Sequence, residues 1–147
     1  MTQGGLRVDL GSSMGYLLKQ AASALRGAIE EALRPLELTI TQYSTLELLA
    51  QRPGLSGSDL ARGTFVTRQS MQVVLQGLEQ LGLVQRPEAA PVGRVLPAEL
   101  TPLGRRRLEE ASVAVRAVED RMRSDLDVAE GERLMDLLRR CIAGLQR

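Results

Sequence analysis

Residues 55–87 read LSGSDLARGTFVTRQSMQVVLQGLEQLGLVQRP, and this stretch decides the fold. Ser56 is followed three positions later by Asp59, the spacing at which a hydroxyl and a carboxylate satisfy each other's free backbone N–H groups at a helix start. Leu60 and Ala61 face inward from the short helix so begun, and GTFV, residues 63–66, is the turn that ends it. Thr67 is an N-cap for a second, longer helix with an inward stripe of Met71, Val74, Leu75, Leu78 and Leu81 and a stop at Gly82. The stretch therefore folds as helix, turn and longer helix.

The outward positions of the second helix are Arg68, Gln69, Ser70, Gln72, Val73 and Gln76, an amide-rich face almost free of charge. An ordinary solvated helix face carries more Glu and Lys. Arginine presents a fork that fits guanine O6 and N7, and glutamine can pair with adenine N6 and N7, so this face suits the edges of bases in a major groove. Its polar groups cluster in the first turns, the end that enters the groove when a helix-turn-helix docks on DNA.

Upstream, SSMGYLLKQAASALRGAIEEALRPL spaces Leu17, Leu18, Ala21, Leu25, Ala28, Ile29, Ala32 and Leu33 by threes and fours. That is an amphipathic helix capped by Ser12 or Ser13 and ended by Pro35. A polar link, ELTI, leads to a helix with Tyr43, Leu46, Leu49 and Ala50 on its apolar face, closed by Pro53 and Gly54. Downstream, apolar and polar residues roughly alternate on either side of a Pro-, Ala- and Gly-rich segment, which predicts a short hairpin between Leu83 and Pro102. Helical spacing then returns. Leu108, Ala111, Val115, Val118 and Met122 form a coiled-coil-like seam, and a last helix carries Leu134, Leu137, Leu138, Cys141, Ile142 and Leu145 on one side.

Composition narrows the function. A chain of 147 residues is long enough to bury roughly 70% of its unfolded surface in one domain. Its charged fraction is that of a water-soluble protein, and no apolar run approaches the about 18 residues of a membrane span. The amino terminus lacks the layout of a secretory signal, so a cytoplasmic location is expected. There is no histidine and only one cysteine, Cys141, which excludes His-based triads, the common zinc sets and an internal disulfide. No glycine-rich phosphate loop is present, and the carboxylates are scattered along charged helical faces. These features point away from an enzyme and from any cofactor. Nearly all the positive charge is arginine, with Lys19 the one lysine. Arginine suits phosphate and guanine, although a GC-rich coding sequence also favours it.

Residues 41–87, TQYSTLELLAQRPGLSGSDLARGTFVTRQSMQVVLQGLEQLGLVQRP, together with LTPLGRRRLEEA at 100–111, resemble the core of the multiple-antibiotic-resistance regulator (MarR) family. The resemblance runs in order from about Met14 to the end. It implies a mainly α fold: a winged helix-turn-helix module with a small two-stranded β-wing at 41–101, flanked by amino- and carboxy-terminal helices at 12–35 and 102–147 that form a dimerisation bundle within a single domain. By the same resemblance the DNA contacts fall on Thr67, Arg68, Gln69, Ser70, Gln72 and Gln76, with Arg94 as the wing arginine. The family's acidic wing positions are here Ala89 and Val92, so the aspartate that would brace Arg94 is missing, and Pro97 removes an N–H donor from the second wing strand.

What the resemblance implies is a homodimeric, sequence-specific double-stranded DNA-binding repressor. Pairing the terminal helices would bury their apolar seams and space two reading helices about 34 Å apart, hence a palindromic operator; an intrachain bundle is the alternative. Relatives often take small aromatic effectors between the dimer helices and the winged module, where Tyr16, Tyr43 and Arg52 are the candidate polar groups. Between Leu55 and Thr101, Arg62, Arg68, Arg86 and Arg94 are balanced by Asp59, Glu79, Glu88 and Glu99. A neutral module predicts modest DNA affinity with a shallow salt dependence. It also leaves open a winged-helix dimer serving as a protein-interaction adaptor, against which the exposed Arg68, Gln69 and Gln72 argue. Cys141, on an apolar stripe with no second cysteine, is expected to be a buried, inert thiol.

Overall fold

The structure, a computed structural model, describes residues 8–86 and 97–147. Six helices and one pair of short strands follow in the order α1 (Met14–Leu33), α2 (Ile40–Gln51), α3 (Gly57–Thr64), α4 (Arg68–Gln80), β1 (Val84–Gln85), β2 (Glu99–Leu100), α5 (Pro102–Met122) and α6 (Val128–Leu145). The strands are antiparallel, with Val84 opposite Leu100 and Gln85 opposite Glu99. This is the helix, turn and longer helix expected from residues 55–87, within the winged helix-turn-helix architecture that the resemblance implies. Arg94, Ala89 and Val92 lie outside the described residues, and the described pairing of the second wing strand begins at Glu99, two residues after Pro97. No helix among the described residues is long and apolar enough to cross a membrane.

Local chemistry sets each boundary. The Ser13 hydroxyl accepts the Tyr16 N–H at 3.1 Å and starts α1. Pro35 turns the end of α1 into a single 3-10 turn, Arg34–Leu36, and Glu37 reverses the chain with a left-handed φ of 56°. Thr39 and Gln42 form a reciprocal capping box at α2, so the link read as ELTI already contains the helix start. Helix α3 runs two residues into the predicted turn, through Gly63 to Thr64.

The core gathers around α4. Met71, Leu75 and Leu78 are buried with Leu46, Leu49, Leu60 and Ala61 from α2 and α3, and with Leu83, Val84 and Leu100 from the wing base. Thr45 is buried among them, its hydroxyl donating to the Thr41 carbonyl at 2.7 Å. Leu81 departs from the expected stripe: it is the C-cap of α4 and half exposed, because the helix ends there and Gly82 turns the chain at φ 75°. Helix α5 carries Leu108, Ala111 and Val118 inward against α1 and α2, whereas Met122, expected on the same seam, is largely exposed at its last turn.

Thr101 stitches this scaffold to the wing. Its N–H donates to the Leu83 carbonyl at 3.0 Å, its hydroxyl donates to the Gly82 carbonyl at 2.6 Å, and the same oxygen caps the Gly104 N–H at 3.0 Å. The start of α5 is drawn so close to the chain leaving α4 that a Cβ on Gly104 would overlap the Leu83 carbonyl oxygen. Backbone cannot yield there as a flexible side chain would. Gly104→Ala is therefore expected to lower stability by about 1–3 kcal/mol, read as a shifted midpoint in urea unfolding.

Candidate nucleic-acid interface

Helix α4 is held so that one face is core and the other is solvent. Thr67 caps it: its Oγ accepts the Ser70 N–H at 3.0 Å and donates to the Ser70 hydroxyl at 2.9 Å. Both hydroxyls sit at the exposed amino end, yet they are committed to each other. Arg68, Gln69, Gln72, Gln76 and Gln80 are exposed, as is Val73. Six of the seven residues expected to meet DNA are thus placed on one exposed surface, and the seventh, Arg94, lies outside the described residues.

Charge on this surface is distributed unevenly. Arg62 pairs with Asp59 on α3, and Arg86, just after β1, pairs with Glu79 at 3.2 Å. Among the described residues Arg68 has no acidic partner within salt-bridge reach, so its guanidinium is available to a ligand. A depression of about 210 Å³ opens beside it, framed by Ser56, Gly57 and Ser58 of α3, Gln72 of α4, and Arg86 and Pro97 of the wing base. Gln72 is not a freely projecting amide, because its Oε1 accepts a hydrogen bond from Arg86 Nη2 at 3.3 Å.

Phe65 went unnoticed in the sequence. It occupies the turn between α3 and α4 with a left-handed φ of 60° and is 95% exposed. A bulky residue gains nothing from that backbone, and this one gains nothing from burial. The signal was available as an aromatic side chain at the turn position where glycine costs least.

The candidate effector residues are not brought together within one chain. Tyr16 lines a depression with Leu10, Met14 and Gln20 at the start of α1. Arg52 lines a different one with Leu48, Leu55 and Asp59. Tyr43 is partly buried; burial pushes its phenol above its usual value, while the nearby Ser112 hydroxyl acts the other way. Cys141 is half-buried rather than fully enclosed, since α6 has little of its own chain against it.

The orientation of α4 depends on α3, and α3 depends on its cap. Ser56 Oγ accepts the Asp59 N–H at 3.1 Å and donates to the Asp59 carboxylate at 2.8 Å, while the Ser56 N–H donates to the same carboxylate at 3.2 Å. These bonds from Ser56, helped less by Arg62, hold the Asp59 carboxyl below the ordinary carboxylate range. A depressed folded-state pKa contributes stability that is present above the unfolded value and lost as pH falls through the folded one. Asp59→Asn should therefore flatten the acid side of the stability profile, compared by urea midpoints from near neutrality down through the carboxylate range.

Comparison with known proteins agrees with this geometry. The sequence profile of the MarR family matches residues 36–94. The HTH-type transcriptional repressor Rv2887 of Mycobacterium tuberculosis is 44% identical over 109 residues, which is 74% of this chain and 78% of the relative. A crystal structure of Rv2887 in complex with DNA superposes with a TM-score of 0.76 at 37% identity, covering 88% of this chain and 98% of that one. Its complex with salicylic acid gives 0.74 at 38% identity, covering 88% and 96%. CouR of Rhodococcus jostii RHA1, bound to p-coumaroyl-CoA, gives 0.78 at 25% identity, covering 90% and 93%. With its helix-turn-helix, its wing base and relatives of this identity and coverage, the chain belongs to the MarR family of transcriptional regulators.

Proposed function

We infer that this protein is a sequence-specific DNA-binding transcriptional repressor, working as a homodimer in the cytoplasm and released by a small aromatic effector. The observation that carries the reading is the exposed face of α4. Arginine and glutamine side chains project from a helix whose opposite face is anchored in the core, so the reading groups are positioned without reorganising the scaffold. Rv2887, similar along most of the chain, has been crystallised with DNA and with salicylic acid, and CouR with p-coumaroyl-CoA. Those ligands suggest the class of effector, an aromatic acid or its derivative.

Within the single domain, residues 41–101 are the DNA-reading module and 12–35 and 102–147 the dimerisation helices. On the reading surface, Arg68, Gln69 and Gln76 reach bases, Thr67 and Ser70 form the amino-terminal cap that sets the entry of α4, and Arg94 extends the contact through the wing. Exposed apolar side chains support the dimer. Leu17 of α1 is 65% exposed, and Leu134, Leu137, Ile142 and Leu145 of α6 lie bare along one side of that helix. A second copy laying its terminal helices against these residues would remove that surface from water.

Two measurements test the reading. In fluorescence anisotropy on DNA from upstream of the protein's own gene, Arg68→Ala and Gln69→Ala should each weaken specific binding by about 1–3 kcal/mol and leave random DNA unaffected. Equal, weak binding of wild type and variants to every sequence would favour the adaptor role instead. In sedimentation, Leu137→Glu should convert the dimer to a folded monomer that no longer holds its operator.

A further inference from the structure

The contact between the wing base and the reading helix constrains what Gln72 can recognise. Glutamine discriminates adenine best with both ends of its amide, its oxygen facing the N6 amine and its nitrogen facing N7. Here the oxygen is engaged. Gln72 Oε1 accepts from Arg86 Nη2 at 3.3 Å, and Arg86 is itself held by Glu79, whose carboxylate meets Arg86 Nε at 3.2 Å. Both partners of that ion pair are about two-thirds withdrawn from solvent, which makes the guanidinium a fixed donor rather than a wandering one. The other end of the amide lies toward α3, where a Cβ on Gly57 would stand 3.5 Å from Gln72 Nε2. Gly57 and Gln72 line the same depression as Arg68.

We propose that Arg86 is a positioning residue for recognition: by taking one lone pair of the Gln72 oxygen and orienting the amide, it biases Gln72 toward donating, which favours guanine, with its two acceptors N7 and O6, or thymine O4, over the paired oxygen-and-nitrogen contact with adenine. Glu79 is the second part of the device, because it sets the angle of the guanidinium. The inference rests on α4 being the DNA reader and adds which operator bases one of its residues accepts. It also joins wing to reader, since any shift of the wing base relative to α4 alters the hydrogen-bonding character of Gln72.

The test is selection of duplexes from a fully random pool by the full-length protein, followed by sequencing, for wild type, Arg86→Met, Glu79→Gln, Gln72→Ala and the Arg86→Met/Gln72→Ala double variant. The wild type should give a motif in which one column in each half-site prefers guanine or thymine and Gln72→Ala abolishes that preference. Arg86→Met should move the same column toward adenine, by about tenfold in relative enrichment, with the other columns unchanged. Glu79→Gln should move it the same way by less, and the double variant should match Gln72→Ala. Glu79→Gln keeps the side-chain volume, so it decides the matter alone if Arg86→Met fails to fold. A column that both Arg86→Met and Glu79→Gln leave unchanged overturns the proposal, as does an Arg86→Met effect that persists without Gln72 or is spread evenly over all sequences. A wild type that selects no motif overturns the DNA-reading function itself, and this inference with it.

Discussion

The division of α4 into a buried face and a bare one is the constraint on which the rest of the molecule depends. Met71, Leu75 and Leu78 lie in the same apolar cluster as Leu46 and Leu60, and removing any of these large side chains from a close-packed core is costly because the neighbours collapse only in part. That anchoring fixes the rotation of the helix about its axis. Arg68, Gln69 and Gln76 then point outward as a consequence of the core, and a one-residue slip would bury amides and expose leucines.

A second consequence concerns charge. The module is neutral by count, but its charges do not cancel uniformly. Ion pairs absorb Arg62 and Arg86 into the scaffold; the exposed Arg62–Asp59 pair contributes little stability, and the more withdrawn Arg86–Glu79 pair restricts geometry. Arg68, at the amino end of α4, is left for a ligand among the described residues, and the helix end adds its own partial positive charge there. A neutral count therefore coexists with a locally receptive surface. In the proposed DNA-reading role, such a design takes little affinity from bulk phosphate neutralisation and relies for discrimination on a few placed hydrogen bonds.

The terminal helices tell the complementary story. The core of the module is closed within one chain, while α6 and the first half of α1 leave a row of leucines and an isoleucine in solvent. A helix with one apolar side and nothing against it is incomplete. The same scaffold that holds α4 rigid inside one chain thus ends in surfaces suited to fixing its distance from a second copy. The short Thr101 stitch, with Gly104 pressed on the Leu83 carbonyl, is what links those two parts of the molecule.

The sequence by itself determined the helices and most of the exposed face of α4. Caps at Ser56, Thr67 and Ser12 or Ser13, the stop at Gly82 and the stripe through Met71, Leu75 and Leu78 are local signals, governed by backbone N–H satisfaction and by the period of the helix, and they can be read without knowing the neighbours; the structure places the first cap on Ser13. Tertiary structure decided what those signals cannot encode. Tyr16, in the first turn of α1, and Arg52, the C-cap of α2, line separate depressions even though the two helices touch each other. Leu81 and Met122 follow the apolar spacing but lie at helix ends beyond the reach of the core. Gln72 looks like any other outward glutamine until the fold places Arg86, fourteen residues on, against its oxygen. Periodicity records which side of a helix a residue occupies; only the packing of distant segments records what waits there to meet it.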